Sequence, residues 1–327
     1  MRAGEAPRLV VCDVDGTFVT SRDRVSPRTR GVVASLTAAG AGFMLATGRP
    51  PRWLLPVLDQ VCVRPVCVCA NGAVVYDAAA DTVVHAETLA PDLLAAVAPE
   101  IARATAAVGG ATFAVERVGR SAFDRADELF AVEPEYPHAW DTDEHSVQPR
   151  AELLAQPAVK LLVRNPALDS PELYALVREA VDPAVAQVTY SWGGGLLEVS
   201  APGVSKMSGL QWALRHGHIG GAGAGVGVGA VAGAGDDAVT AAVADAARAP
   251  AGAGRGSAGG PAGGEPGAVE PRHVVAFGDM ANDLEMIAWA GHGVAMGNAI
   301  PALKDAADEV TASNDDDGVA RVLERWF

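Results

Sequence analysis

The order of segments in this 327-residue chain predicts an α/β fold, a doubly wound parallel sheet with an α+β domain inserted into it. Three observations carry that reading. Apolar runs of four or five residues recur without alternation and end in acidic, glycine or hydroxyl residues, as buried parallel strands do. Helical patterns separate the first three of these runs, giving a β-α-β-α-β order. Between about residues 82 and 200 the pattern becomes mixed, and after it the apolar-run-then-acid pattern returns.

The first run, Leu9-Val10-Val11-Cys12, stops at Asp13-Val14-Asp15-Gly16-Thr17. Ser26-Pro27 opens a helix, Ser as N-cap and Pro in the first turn, that carries Val32, Val33 and Leu36 and ends at Gly40. Gly42 to Ala46 is the second strand, closed by Thr47-Gly48-Arg49-Pro50, and a helix then passes through Trp53, Leu54 and Val57. Pro65 to Cys69 is the third, followed by Asn71-Gly72. In an open α/β sheet the ligand crevice lies beyond the carboxyl ends of the strands, where Asp13, Asp15, Thr47 and Asn71 all fall. The mixed region alternates helices at 93–107 and 170–181 with short strands at 111–116, 159–163 and 185–190. A helix at 205–216, a strand at 272–278 ending in Asp279, a helix at 281–290, a strand at 293–296 and a last helix at 318–327 complete the first domain. The chain thus divides into a first core part at 1–81, an inserted domain at 82–200 and a second core part at 201–327.

One stretch breaks the pattern. Residues 218–270 hold 16 of the 37 glycines and no Phe, Trp or Tyr, too little apolar surface to offset the cost of ordering the chain. It reads as a flexible insertion, with one Ala-rich piece at 236–248 able to form a marginal helix. It should hang at the amino-terminal side of the sheet, opposite the crevice. Composition narrows the partners. With 25 basic against 40 acidic residues the net charge is −15, which disfavours nucleic acid and anionic membranes. No apolar run approaches the roughly 18 residues of a membrane span, and the N-terminal apolar stretch is short for a signal peptide, so a cytoplasmic protein is expected. Four cysteines make no disulfide framework, and Cys62, Cys67 and Cys69 match no zinc spacing.

Four strand-end segments carry the chemistry. On an extended strand Asp13 and Asp15 would share a face, and their repulsion calls for a cation or a proton. A hard dication such as Mg²⁺, which takes one or two carboxylates, meets that demand; a turn built on aspartates is the other reading. Gly16 and Thr17 leave backbone N–H groups open to an anion. Thr47 can donate a hydroxyl bond to a phosphate or simply cap a helix. Lys206, one of only three lysines, starts a helix, where a cation opposes the macrodipole unless an anion lies near; a solvated lysine is the alternative. Gly278-Asp279-Met280-Ala281-Asn282-Asp283 adds two acids and an amide, or else a capping box.

Taken together, these segments resemble the four motifs of the haloacid dehalogenase (HAD) superfamily in order, strand-end placement and spacing. More narrowly, Asn71-Gly72-Ala73, Gly203-Val204-Ser205-Lys206, Val294-Ala295-Met296-Gly297-Asn298-Ala299 and Val310 to Asn314 resemble the Cof-type branch. Met207 departs from the glycine usual after the third-motif lysine, and the Gly/Ala-rich insertion replaces a short loop. The resemblance implies a Rossmann-like core with a C2 cap between the second and third motifs, where more than 150 residues separate Arg49 from Lys206. It implies a Mg²⁺-dependent phosphatase acting on small phosphorylated metabolites, such as sugar phosphates, through an aspartyl-phosphate. Asp13 would be the nucleophile and Asp15 the general acid and base. Asp13, Asp15 through its backbone carbonyl, and Asp279 would hold Mg²⁺, with Asp283 as ligand or orienting group. Gly16, Thr47, Gly48, Lys206 and Asn282 would surround the phosphate, Asn282 orienting either it or Lys206, and Asn71 would touch the substrate near the cap hinge. A phosphotransferase or phosphomutase would share these residues, as would a non-enzymatic ligand-sensing module. A monomer or homodimer is expected.

Overall fold

The structure, a computed structural model, describes residues 5–138, 144–191, 193–219 and 269–327. Nearly all of the Gly/Ala-rich segment, including the helix expected at 236–248, lies outside the described residues.

The unalternating apolar runs become the centre of an eight-stranded sheet, ordered β14-β13-β12-β1-β2-β3-β4-β5. Here β1 is Leu9–Cys12, β2 Gly42–Ala46, β3 Val66–Cys69, β4 Val74–Asp77 and β5 Thr82–Ala86. On the other side are β12, Val274–Gly278, β13, His292–Ala295, and β14, Glu309–Val310. Every residue of β1, β2, β3 and β12 is buried, which is why these strands lack the alternation of a sheet with one wet face. The strands from β14 to β3 are mutually parallel. Helices Pro27–Ala38 and Gly318–Leu323 pack together, as do Lys206–Arg215 and Leu284–Trp289.

From β1 the chain winds through β2 and β3, and it returns on the other flank as β12, β13 and β14. The direction therefore reverses between β1 and β12, the position at which an open sheet leaves a crevice. Asp13 and Asp279, each the first residue past its strand, flank that point.

One boundary differs from the sequence reading. β5 pairs antiparallel with β4 in the first sheet, so the chain leaves that sheet after Ala86 and not at 82. A tight turn makes the hairpin: the Asp77 carboxylate accepts from the Ala79 and Ala80 N–H groups, and Asp81 takes a positive φ of 49°. β5 is only partly buried and carries no strong apolar run, so its sequence gave little signal.

Six further strands form the second sheet, ordered β10-β11-β9-β6-β7-β8. They are β6, Thr112–Glu116, β7, Phe130–Val132, β8, Ser146–Val147, β9, Lys160–Arg164, β10, Gln187–Thr189, and β11, Leu196–Ser200. Side chains alternate along these strands. Phe113, Val115, Leu161, Val163, Leu197 and Val199 share one apolar core with helices Pro91–Thr105 and Ser170–Ala180. The alternate positions include Glu116, Lys160 and Glu198, which are buried although charged. No helix among the described residues is long and apolar enough to cross a membrane.

Candidate active site

A cavity of about 710 Å³ opens beyond the carboxyl ends of β1, β2, β3 and β12 and is roofed by the second sheet. Its size suits a metabolite. Of the residues expected at the site, Asp13, Asp15, Gly48, Lys206, Asp279 and Asn282 line it. Gly16, Thr47, Asn71 and Asp283 are not among the residues lining it.

The floor is an acidic cluster built around one ammonium. Lys206 is 2% exposed and donates to Asp13 Oδ1 and Asp283 Oδ1, both at 2.6 Å. It occupies the first turn of helix Lys206–Arg215, whose N-cap Ser205 accepts from the Ser208 N–H. The two carboxylates offset both the unfavourable helix dipole and the burial of the charge. Burial alone would lower the Lys206 pKa, but Asp13 and Asp283 outweigh it and hold the value above the ordinary one. This helix comes close to the end of β3 because Gly72 has no side chain: a Cβ there would overlap the Ser205 carbonyl. Gly72 also takes a φ of 103°, after Ala70 and Asn71 at 51° and 58°.

Asp13, Asp279 and Asp283 each present a carboxylate oxygen within 4.8 Å of the other two. Asp13 Oδ2 is buried with no hydrogen-bond partner among the described residues. Burial and the Asp283 charge push Asp279 up to about 7, and burial likewise raises Asp13 despite Lys206. Asp283 is committed elsewhere: Oδ1 takes Lys206, and Oδ2 accepts from the N–H groups of Asp279 and Met280 at 3.0 Å. It therefore shapes the loop and orients Lys206. Gly16 has a φ of 73°, and a Cβ there would collide with the Asp279 carboxylate.

Asp15 does not share a face with Asp13, because β1 ends at Cys12 and the chain turns over Val14–Phe18. Its carboxylate instead meets the Arg49 guanidinium, Oδ1 at 2.5 Å from Nη2 and Oδ2 at 3.0 Å from Nε. Arg49 also reaches Asp23 at 2.7 Å. The expected repulsion between Asp13 and Asp15 is thus met by two separate cations, Lys206 and Arg49. Thr47 is fully buried, and its hydroxyl oxygen accepts from the Arg49 N–H at 3.1 Å, the capping arrangement. That leaves the hydroxyl proton to donate. Asn282 donates to Asn71 Oδ1 at 3.1 Å rather than orienting Lys206. Asn71 in turn donates to Glu198 of the roof at 2.9 Å, where a contact with substrate was expected.

A sequence profile of the haloacid dehalogenase-like hydrolases matches residues 10–222 and 266–323. The chain belongs to this family. A putative phosphatase of Haemophilus influenzae is 25% identical over 98% of both chains. A 5-amino-6-(5-phospho-D-ribitylamino)uracil phosphatase of Bacillus subtilis is 54% identical over 59 residues, a stretch covering 18% of this chain and only 22% of that relative. The crystal structure of a haloacid dehalogenase-like hydrolase from Bacteroides thetaiotaomicron has the same fold, with a TM-score of 0.64, 22% identity and coverage of 98% and 100%.

In this HAD-like chain the all-oxygen donor set and the unpartnered Asp13 Oδ2 fit a hard divalent cation such as Mg²⁺. Asp13 and Asp279 are the groups with oxygens to give it. Several further residues build the site. Asn298 donates to the Gly16 carbonyl at 2.8 Å, fixing the turn after β1. Arg49, Arg52, Lys160 and Glu198 line the cavity, Arg49 paired with Asp15, Arg52 with Glu116 and Lys160 with Glu198. Asn298 and Arg49 lie within motifs already quoted, so a polar residue beside a motif was the available signal. Lys160 carried only its rarity, and Glu198 carried none.

Proposed function

We propose that this protein is a Mg²⁺-dependent phosphatase of small phosphorylated metabolites that works through an aspartyl-phosphate. The observation that carries the reading is Asp13: a buried carboxylate at the switch point, one oxygen held by Lys206 and the other without a partner among the described residues. Lys206 fixes the Asp13 carboxylate and offers positive charge where a phosphoryl group would sit. An Asp13 oxygen attacks phosphorus in line while the ester oxygen departs. Asp15 gives that oxygen its proton and later takes one from the water that cleaves the intermediate. To do so its carboxyl must trade Arg49 for the leaving oxygen. Thr47, whose hydroxyl oxygen accepts from the Arg49 N–H, and the N–H groups after Asp13 supply further donors to the phosphoryl oxygens. Bound metal at Asp13 and Asp279 would neutralise phosphoryl charge and the carboxylate cluster together.

The relatives named as phosphatases support the reaction class, and the ribitylaminouracil phosphate named for one of them is a small monoester of the kind proposed. The strongly acidic chain supports a small-molecule partner over a nucleic acid. Hydrolysis of 4-nitrophenyl phosphate is the direct test. Turnover should require Mg²⁺, stop on adding EDTA and return with excess Mg²⁺. Undiminished turnover in EDTA would remove the metal from the mechanism, and no turnover with Mg²⁺ would remove the phosphatase reading.

A further inference from the structure

Seven carboxylates and four cations line the cavity among the described residues. Each cation already faces acid. Lys206 lies between Asp13 and Asp283, and Arg49 between Asp15 and Asp23. Arg52 makes a two-pronged pair with Glu116, and Lys160 donates to Glu198 and to the Gly48 carbonyl. A divalent ion at the floor still leaves a carboxylate in excess, and the phosphoryl group brings more negative charge.

The roof is where this matters, because a leaving group must lie there. Lys160 and Glu198 are 4% and 7% exposed, and Glu198 also accepts from Asn71 and from Ser191 at 3.0 Å. A second anion on the substrate would find no unpaired cation among the described residues lining the cavity. It would have to break a buried pair or sit beside Glu198, and either costs far more here than in water. Phe130 and Leu162, also lining the roof, offer apolar contact without charge.

Building on the phosphatase reading, we infer that the roof is a charge filter. It accepts monoesters whose leaving group is neutral and rejects those carrying a further phosphate or carboxylate, with Glu198 setting the filter by occupying Lys160.

The test compares phenyl phosphate with 4-carboxyphenyl phosphate, which differ by one carboxylate, in the full-length protein with Mg²⁺. The wild type should favour phenyl phosphate at least tenfold in kcat/KM. E198Q, which frees the Lys160 ammonium, should lower that ratio at least threefold. K160M, which leaves Glu198 without its counter-charge, should raise it. Opposite movements are not expected if the pair merely supports the fold, and K160M keeps the test open if E198Q melts below the assay temperature. A wild-type ratio within twofold of unity, or variants that move it the same way, would overturn the filter while leaving the phosphatase intact. Failure to hydrolyse either ester would overturn both.

Discussion

At the floor of the cavity, Asp13 and Asp283 share one buried ammonium with Asp279 close beside them, and Asp13 keeps an oxygen with no partner among the described residues. At the roof, Glu198 accepts from three donors and Glu116 takes both arms of Arg52. Both regions are buried and charged, yet one is electrostatically incomplete and the other is closed. The pKa directions follow the difference. Asp279 is pushed up to about 7 by burial and Asp283, whereas Glu198 falls below the ordinary range because Lys160 and its hydrogen bonds outweigh burial. An incomplete site is poised for ligand; a complete one holds shape and refuses charge. Glu116 stands between them, since burial raises its pKa in spite of Arg52.

The largest effect should come from the floor. D13N should lower turnover of an aryl phosphate by about 10³-fold or more, as loss of a nucleophile does. Its melting temperature in EDTA should hold or rise, because one like charge leaves a crowded cluster. A fall in stability together with near-normal turnover would break the contrast. D15N should be graded by leaving group, losing about 10²–10⁴-fold on an alkyl phosphate and much less on 4-nitrophenyl phosphate, whose phenolate departs unprotonated. Equal losses on the two would deny Asp15 the acid role.

At the roof, stability should respond first. R52M leaves Glu116 buried and unpaired and should cost about 3–5 kcal/mol in urea unfolding. The double variant R52M/E116L should recover most of that, since replacing a whole buried pair is often nearly neutral. A double variant as unstable as the single would mean that the pair holds cap and core together in a way apolar packing cannot replace. The smallest effect is pH-dependent. Because the folded pKa of Glu198 lies below its ordinary 4.5, the carboxylate stabilises the fold above that value, and the benefit is lost as pH falls through the folded pKa. E198Q should therefore cost about 1–3 kcal/mol at pH 7. The gap from wild type should narrow in acid below 4.5. A gap that widened there would reverse the sign assigned to the Lys160 pair.

How far the site was legible depended on the range of each contact. Asp13 and Asp279 could be found because a buried parallel strand announces itself by an unbroken apolar run and its carboxyl end is the next residue. Lys206 was legible from its place at a helix start and its rarity. Its partners were not, since Asp13 lies 193 positions away and Asp283 lies 77. The Arg49 pairing is not legible because its residue type fits a solvated loop equally well, and the apolar run does not show that the strand ends at Cys12 and turns Asp15 away from Asp13. β5 escaped because half-buried edge strands carry weak patterns.

The sequence by itself determined the core strands β1, β2, β3, β12 and β13, the helices between them and the acidic residues at the strand ends. Those are local matters of apolar periodicity, capping and turn chemistry, written within windows of a few residues. Only the tertiary structure decided which charges meet: that Asp15 turns to Arg49, that Asp283 gives its oxygens to Lys206 and the loop, and that Lys160 and Glu198 close the roof over Gly48 and Asn71. A buried charge must find its counter-charge wherever the packed chain brings one, and that choice depends on distances between segments remote in sequence.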